Sequence, residues 1–168
     1  MKKLLLILIA LPLIGFGQTW TFKDGGNAFD GKYKTAFIRG EGQEFPYNNP
    51  ILCVNKFESQ DKVNFYIGDA GYFDSDYSSA IVYFSFSNEE GVIYVSKNHN
   101  YSNDGSNIHL WDFMLKSNNS VEFKKKDIIK KLTDAKYVDI RISTQSSKND
   151  LRFSLNGSTK AIKFVIPE

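Results

Sequence analysis

The sequence is poor in cysteine, the residue that supplies disulfides and reactive thiols. One cysteine, Cys53, occurs among 168 residues, so no disulfide can form within the chain. Small exported domains often depend on disulfides, whereas this chain must be held together by its hydrophobic core. Because Cys53 lies in the apolar run 51–54, the sequence predicts that it is a small buried hydrophobe.

The sequence also lacks the residue patterns typical of catalysis and cofactor binding. Its two histidines, His99 and His109, have no second cysteine near them, which does not fit the ligand spacing of a zinc site. It contains no Gly-x-Ser-x-Gly elbow, no glycine-rich phosphate loop before a helix and no helical His-Glu pairing. We therefore expect no catalytic residues, no metal and no cofactor, and a protein that is not an enzyme.

No apolar run is long enough to span a membrane, which takes about 20 apolar residues. The run 4–14 is shorter, follows Lys2 and Lys3, and is interrupted only by Pro12. The segment 15–17 then provides small residues at the positions that a leader peptidase requires. This arrangement is typical of a secretory signal peptide.

We therefore predict that residues 1–17 are a cleaved signal peptide and that residues 18–168 form a single domain, with Gln18 as the new N-terminus. Cys53 lies too far from the cleavage site to be the lipid-modified first residue of a lipoprotein. The mature protein is expected to be exported, either periplasmic or secreted, without a membrane anchor.

Neither sign of charge is in excess in the mature chain. The full sequence has 21 Lys and Arg against 19 Asp and Glu, and removal of Lys2 and Lys3 leaves 19 against 19. Proteins that bind nucleic acids or anionic membranes concentrate positive charge. The sequence therefore predicts neither of these partners.

Strand-forming residues are abundant, with 14 Phe and 9 Tyr in the chain. The strongest hairpin signal lies in residues 80–97, where two β-rich runs flank a polar loop that ends in glycine. A turn is predicted at 24–27 and a polar loop at 98–107. The predicted strands are 19–23, 33–39, 51–57, 63–68, 80–86, 92–97, 108–114, 137–143, 151–155 and 159–166.

One segment, 126–135, has helical periodicity instead. Ile128, Ile129 and Leu132 share one face, with lysines opposite. The sequence therefore predicts a mainly β protein, an antiparallel β-sandwich of nine to ten short strands with one short helix near residues 125–135. A closed barrel is the alternative.

The loop 69–77 is the one place where carboxylates cluster. Asp69, Asp74 and Asp76 could supply oxygen ligands to calcium. The loop does not follow the EF-hand pattern, because neither the required glycine nor the closing glutamate is present. Exposed turns use the same residue types, so the sequence favours a solvated loop, and no metal ligand is assigned.

The candidate ligand contacts are Tyr72, Asp74, Asp76, Tyr77 and Tyr101. Loop tyrosines on a neutral β-sandwich can stack on sugar rings, as in a carbohydrate-binding module. The simpler interpretation is that these are ordinary surface residues, and we favour it.

A carbohydrate-active domain would also need two converging carboxylates. Asp74 or Asp76 could pair with Glu89 or Glu90, although the sequence alone does not show that any two converge. Trp111 is a further candidate for stacking on sugars, and the simpler interpretation, which we favour, is that it is a core residue.

The order of segments after residue 123 resembles that of two families of exported β-sandwich proteins. A short helix at 128–132, an alternating strand at 138–142, the segment 151–157 and an apolar closing segment from Ala161 follow one another. This order is similar to the C-terminal half of the invasion-associated locus B family and of the periplasmic accessory protein of type VI secretion. The hairpin formed by 82–84 and 93–95 sits where those families also place paired strands.

The end of the leader, 16–18, and the segment 29–33 are similar to small exported proteins of Bacteroidetes-type bacteria. The resemblance is one of order and pattern, and the chain lacks the disulfide cysteines common in the locus B family. The resemblance implies an envelope or secreted β-sandwich without evident catalysis, and it identifies no functional residues.

We therefore expect a secreted or periplasmic, non-catalytic binding or accessory protein of the bacterial cell envelope. Its partner would be an unknown protein or glycan outside the cytoplasm. The alternatives are a carbohydrate-binding or carbohydrate-active β-sandwich domain, and an inhibitor or immunity-type protein that binds a co-encoded partner.

Replacing Lys2 and Lys3 by glutamate is expected to retain the precursor in the cytoplasm, because a leader needs a positively charged start. Fractionation of a bacterial host measures how much of the protein is exported. Mass spectrometry of the exported protein measures the cleavage site, and the wild-type chain should begin at Gln18. Replacement of both lysines by arginine is the matched control and should leave export unchanged. An exported wild-type chain that still begins at Met1 would contradict the prediction.

Overall fold

The computed structural model describes residues 18–28, 31–42, 49–59, 63–71, 81–96, 99–101, 107–110, 113–115, 122–123, 125–144 and 147–167. The strands are β1 (Thr21–Asn27), β2 (Gly31–Arg39), β3 (Ile51–Phe57), β4 (Val63–Gly68), β5 (Ile81–Phe86), β6 (Tyr94–Ser96), β7 (His99–Tyr101), β8 (Asn107–Leu110), β9 (Phe113–Leu115), β10 (Glu122–Phe123), β11 (Tyr137–Ser143) and β12 (Lys148–Ser154). The helices are α1 (Lys125–Asp134) and α2 (Ser158–Val165). The predicted mainly β class is confirmed.

The strands form two six-stranded antiparallel sheets. Sheet A has the order β1-β2-β3-β4-β8-β7, and sheet B has the order β10-β9-β6-β5-β11-β12. The predicted hairpin is confirmed in sheet B, where β5 pairs with β6 through Tyr83 opposite Val95 and Phe84 opposite Tyr94.

The predicted turn at 24–27 is wrong. These residues continue β1, which pairs with β2 as far as Asn27 opposite Gly31. At Gly25, a Cβ atom would lie 2.8 Å from the Tyr33 hydroxyl oxygen. The glycine at that position therefore makes room for a cross-strand tyrosine rather than for a turn.

The predicted strand 108–114 is two strands in two different sheets. β8 pairs with β4 in sheet A, whereas β9 pairs with β6 in sheet B. The predicted polar loop 98–107 includes β7, which pairs with β8. The described residues consequently contain twelve strands rather than nine or ten. Because the residue types alternate without a break from 108 to 114, the sequence pattern did not reveal that the chain changes from one sheet to the other there.

The predicted strand at 159–166 is wrong as well, because this segment forms helix α2. Its buried residues are Ser158, Ala161, Ile162 and Val165, at the spacing of one helical face. Gly157 precedes the helix with a φ of 84°, which favours glycine. The helix predicted near 125–135 is confirmed as α1, with Ile128 and Leu132 buried.

One hydrophobic cluster contains side chains from both sheets and both helices. In β11 the predicted alternation is confirmed, since Val138, Ile140 and Ile142 are buried while Asp139 and Arg141 lie on the opposite face. No helix in the described ranges is long and apolar enough to cross a membrane.

The backbone passes from sheet A to sheet B at Gly40. The Gly40 amide donates to the Pro50 carbonyl in sheet A at 2.8 Å, while Glu41 and Arg152 exchange two backbone hydrogen bonds of 2.8 Å at the edge of sheet B. A Cβ atom on Gly40 would lie 2.5 Å from Cδ1 of Phe153 and 2.6 Å from the Arg152 carbonyl oxygen. Only glycine fits there without a shift of the chain.

Gly40→Ala is expected to lower the free energy of unfolding by about 1–3 kcal/mol, because overpacking a filled site forces the backbone and a buried ring apart. Urea denaturation of the mature domain measures the change. Glu41→Ala is the matched control, since it keeps the backbone bridge and removes an exposed side chain, and its effect should stay within about 0.5 kcal/mol. Equal stability of Gly40→Ala and wild type would contradict the close approach.

Candidate functional site

The candidate site is the face of sheet B whose side chains point away from the hydrophobic cluster, and we call it the outer face. The alternation that buries one set of side chains in β5, β11 and β12 places the other set here. The outer face consists of Ile81, Tyr83, Ser85, Ser87, Ile93, Val95, Tyr137, Asp139, Arg141, Ser143, Lys148, Asp150 and Arg152.

Strand register arranges these residues in rows across the sheet. In one row, Tyr83 lies opposite Arg141, and Arg141 lies opposite Asp150. We call it the Tyr83 row, and Val95 extends it into β6. The adjacent row, which we call the Ser85 row, runs from Ser85 on β5 through Asp139 on β11 to Arg152 on β12.

Each row contains one bidentate ion pair. Arg141 donates to both carboxylate oxygens of Asp150 at 2.5 and 2.7 Å, and Arg152 donates to both oxygens of Asp139 at 2.6 and 2.8 Å. The hydrogen bonds that Arg141 donates lower the pKa of Asp150, and the hydrogen bonds that Arg152 donates to Asp139 raise the pKa of Arg152. The Arg152 guanidinium also lies 4.4 Å from the centre of the Tyr137 ring. Both guanidinium groups are therefore held in fixed positions while their side chains stay about half exposed.

A depression of about 700 Å³ lies on this face. Its charged lining residues are three acids and three bases: Glu41, Asp139, Asp150, Arg141, Lys148 and Arg152. Ile93 and Tyr83 add apolar surface. The volume is typical of a small-molecule site, about 300–1,000 Å³, and the balanced charge favours a neutral occupant.

Among the described residues, the exposed large hydrophobic side chains are Ile81, Ile93 and Tyr137, which are 42 %, 42 % and 37 % exposed. All three belong to the outer face. Exposed apolar side chains gathered on one face mark interaction surfaces. The arrangement can therefore bind through fixed charged groups and apolar contacts.

The site residues predicted from sequence are not brought together in the described part of the chain. Tyr72, Asp74, Asp76 and Tyr77 lie outside the described residues, as does Trp111. Tyr101 lies in β7 of sheet A, paired with Ile108. Sequence reasoning missed the outer face, although the same order of charges, an acid followed by a base, in 139–141 and 150–152 was a usable signal.

Glu89, one of the carboxylates that could form a catalytic pair, is part of a clamp between α1 and the β5–β6 turn. It lies 2.5 Å from Lys131 Nζ and accepts a hydrogen bond of 2.6 Å from the Tyr94 hydroxyl. Lys131 Nζ also lies 4.5 Å from the centre of the Tyr94 ring. Burial by itself raises the pKa of Glu89, but the bonds donated by Lys131 and Tyr94 outweigh it and lower the pKa below 4.5. An ionised, paired carboxylate is a poor general acid.

Cys53 is fully buried, as predicted, and lies opposite Tyr66 in sheet A. Burial raises the pKa of the Cys53 thiol to about 12, although a hydrogen bond with Tyr66 opposes the shift. The thiol is therefore protonated and unreactive at neutral pH. Within the described ranges, no three His, Cys, Asp or Glu side chains come close enough to hold a metal ion.

Glu89→Gln is expected to lower the free energy of unfolding by about 1–2 kcal/mol at neutral pH, because it leaves the partly buried Lys131 without its counter-ion. The pKa of Glu89 is lowered in the folded protein. Its contribution to the free energy of unfolding is therefore fully present above pH 4.5 and is lost as the pH falls through the pKa of the folded state. The difference between wild type and variant should therefore shrink in acid, as measured by urea denaturation at neutral pH and at several values below 4.5.

Asp134→Asn is the control, because it removes an exposed pair with Lys130 on the surface of α1. Its effect should be close to the error of the measurement at every pH. A Glu89→Gln variant that loses no more stability than Asp134→Asn would contradict the clamp.

Comparison of the chain with models of known families, with curated proteins and with solved structures finds no match. The resemblance to exported β-sandwich families therefore stays a prediction, and the function is inferred from the outer face.

Proposed function

We propose that this chain is an exported, non-catalytic binding or accessory protein of the bacterial cell envelope, and that the outer face of sheet B is its contact surface. The observation that carries the proposal is the gathering of Ile81, Ile93 and Tyr137 on the face that also holds the fixed ion pairs. Export follows from the leader predicted at residues 1–17.

The state of the ionisable groups supports binding rather than catalysis. Asp139, Asp150 and Glu89 are each engaged by a basic side chain, and Cys53 is kept protonated. A general acid or nucleophile needs a pKa near the working pH and a free approach to its substrate. The three carboxylates are occupied by basic partners and the thiol is buried, so these four groups lack a free approach to a substrate. Fixed charges with exposed apolar neighbours are suited to recognition instead.

We further infer that the two sheets form a β-sandwich. The support is the single cluster that their buried faces share, together with the Gly40 crossing from sheet A to sheet B. In a sandwich, the inner faces fill the core and each outer face is available to a partner.

A second candidate, a carbohydrate-binding domain, is supported by the depression. Its charges balance, and it offers guanidinium and carboxylate groups in fixed positions beside Tyr83. A neutral polyhydroxylated ligand needs this combination of hydrogen-bonding groups and apolar surface.

Site-specific photo-crosslinking in a producing bacterium tests the contact surface for any kind of partner. With Ile93→p-benzoylphenylalanine, we expect a crosslinked adduct, because Ile93 is exposed and lines the depression. The same replacement of Thr159, an exposed residue of α2, is the control and should give little adduct. Mass spectrometry then identifies the adduct as protein or glycan.

The absence of an adduct from Ile93, or equal adducts from both positions, would overturn the outer face as the contact surface. Turnover of a glycan, ester or peptide by the purified domain, abolished by one side-chain substitution, would overturn the non-catalytic assignment.

A further inference from the structure

The charges on the outer face alternate in both directions. Along β11 an acid (Asp139) precedes a base (Arg141), and along β12 an acid (Asp150) again precedes a base (Arg152). Because the two strands are antiparallel, each base lies opposite an acid on the other strand. The four side chains form a checkerboard of two positive and two negative corners.

Such a checkerboard is complementary to a second copy of itself. Consider a two-fold axis that lies just outside the outer face, parallel to the plane of the sheet. It runs across the strands and passes between the Tyr83 row and the Ser85 row. It places each row over the other row of the second copy. Arg141 then faces Asp139 of the second copy, and Asp150 faces Arg152 of the second copy, so every cross-copy contact joins opposite charges.

The same axis also matches the sizes of the uncharged side chains. Tyr83 faces Ser85 of the second copy, because these residues hold equivalent places in the two rows of β5. One row further out at each end, Ile81 faces Ser87, and Tyr137 faces Ser143. Each of these three large side chains therefore meets a serine, which is the complementarity that close-packed interfaces need.

Only this axis satisfies both requirements. A two-fold axis parallel to the strands, between β11 and β12, would also place Arg141 over Asp150 of the second copy. It would leave β5 and β6 without a partner strand above them, and Ile81 and Ile93 would stay in water. Opposite charges alone allow two arrangements, and the exposed apolar side chains select one of them.

We propose that the outer face of sheet B binds a second copy of this chain, about a two-fold axis across the strands between the Tyr83 and Ser85 rows. This inference rests on the proposed function, since it names the partner of the same contact surface. The two depressions then face each other and enclose a polar space that water can fill, as in many wet interfaces.

The interface is small, so the dimer should be weak. Strands β5, β11 and β12 are each about 20 Å long, β6 is shorter, and neighbouring strands lie about 4.8 Å apart. The area they provide is smaller than that of a typical stable interface and fits a transient one. The charged side chains are between 42 % and 59 % exposed, so their attraction is screened by salt. We expect reversible association that weakens as ionic strength rises.

A swap of whole ion pairs tests the arrangement without breaking either pair. The first variant carries Arg141→Asp and Asp150→Arg, and the second carries Asp139→Arg and Arg152→Asp. Each variant keeps its two ion pairs within the sheet. In a dimer of either variant, however, every charged corner faces a corner of the same charge on the second copy. In a mixture of the two variants, every corner again faces the opposite sign.

Sedimentation velocity of the mature domains over a concentration series at low salt is the measurement. We expect dimers for wild type, monomers for each variant alone, and dimers for the equimolar mixture. A chain with all four substitutions should dimerise like wild type. Thermal unfolding of every variant shows whether the fold is kept.

Wild type that stays monomeric at every concentration would overturn the inference. So would variants that dimerise alone, since that would point to the axis parallel to the strands or to another surface. The proposed function fails differently, through the absence of an Ile93 photo-adduct. An adduct with a glycan or with another protein would preserve that function and overturn the second copy as the partner.

Discussion

The close approach of the chain at Gly40 is the constraint on which both sheets depend. At this residue the backbone leaves a ladder in sheet A and joins β12 at the edge of sheet B. A side chain would meet Phe153, which is fully buried, and the Arg152 carbonyl. Because both neighbours belong to β12, the crossing fixes the strand that carries three of the five charged residues of the outer face.

Arg152 connects this constraint to the candidate site. Its backbone forms the bridge to Glu41, while its guanidinium binds Asp139 and covers the Tyr137 ring. Arg152 alone therefore fixes both the edge of sheet B and one corner of the checkerboard of charges. A change at the crossing would alter the register of β12 and so reach the outer face. Each bidentate ion pair requires its acid and its base to lie directly opposite each other on β11 and β12.

Features that depend on local pattern could be predicted from sequence, and those that depend on tertiary partners could not. The alternation at 138–142 and the amphipathic segment that forms α1 are local, and both predictions hold. The segment 159–166 contains residues compatible with a strand, and only its packing shows that Ala161, Ile162 and Val165 share a helical face. The partners of Asp139 and Arg141 on β12 were not predicted, because pairing register depends on the whole hairpin.

The fixed ion pairs explain why the outer face is suited to recognition even though their net contribution to stability is small. Exposed ion pairs stabilise a fold little, so stability alone does not account for two bidentate pairs side by side. A guanidinium already held by a carboxylate loses little further freedom when a partner binds. Its direction is set, and a partner with the wrong charge order meets repulsion at every corner. In the proposed contact, the checkerboard of charges therefore provides specificity, while Ile81, Ile93 and Tyr137 provide the apolar area that such charges lack.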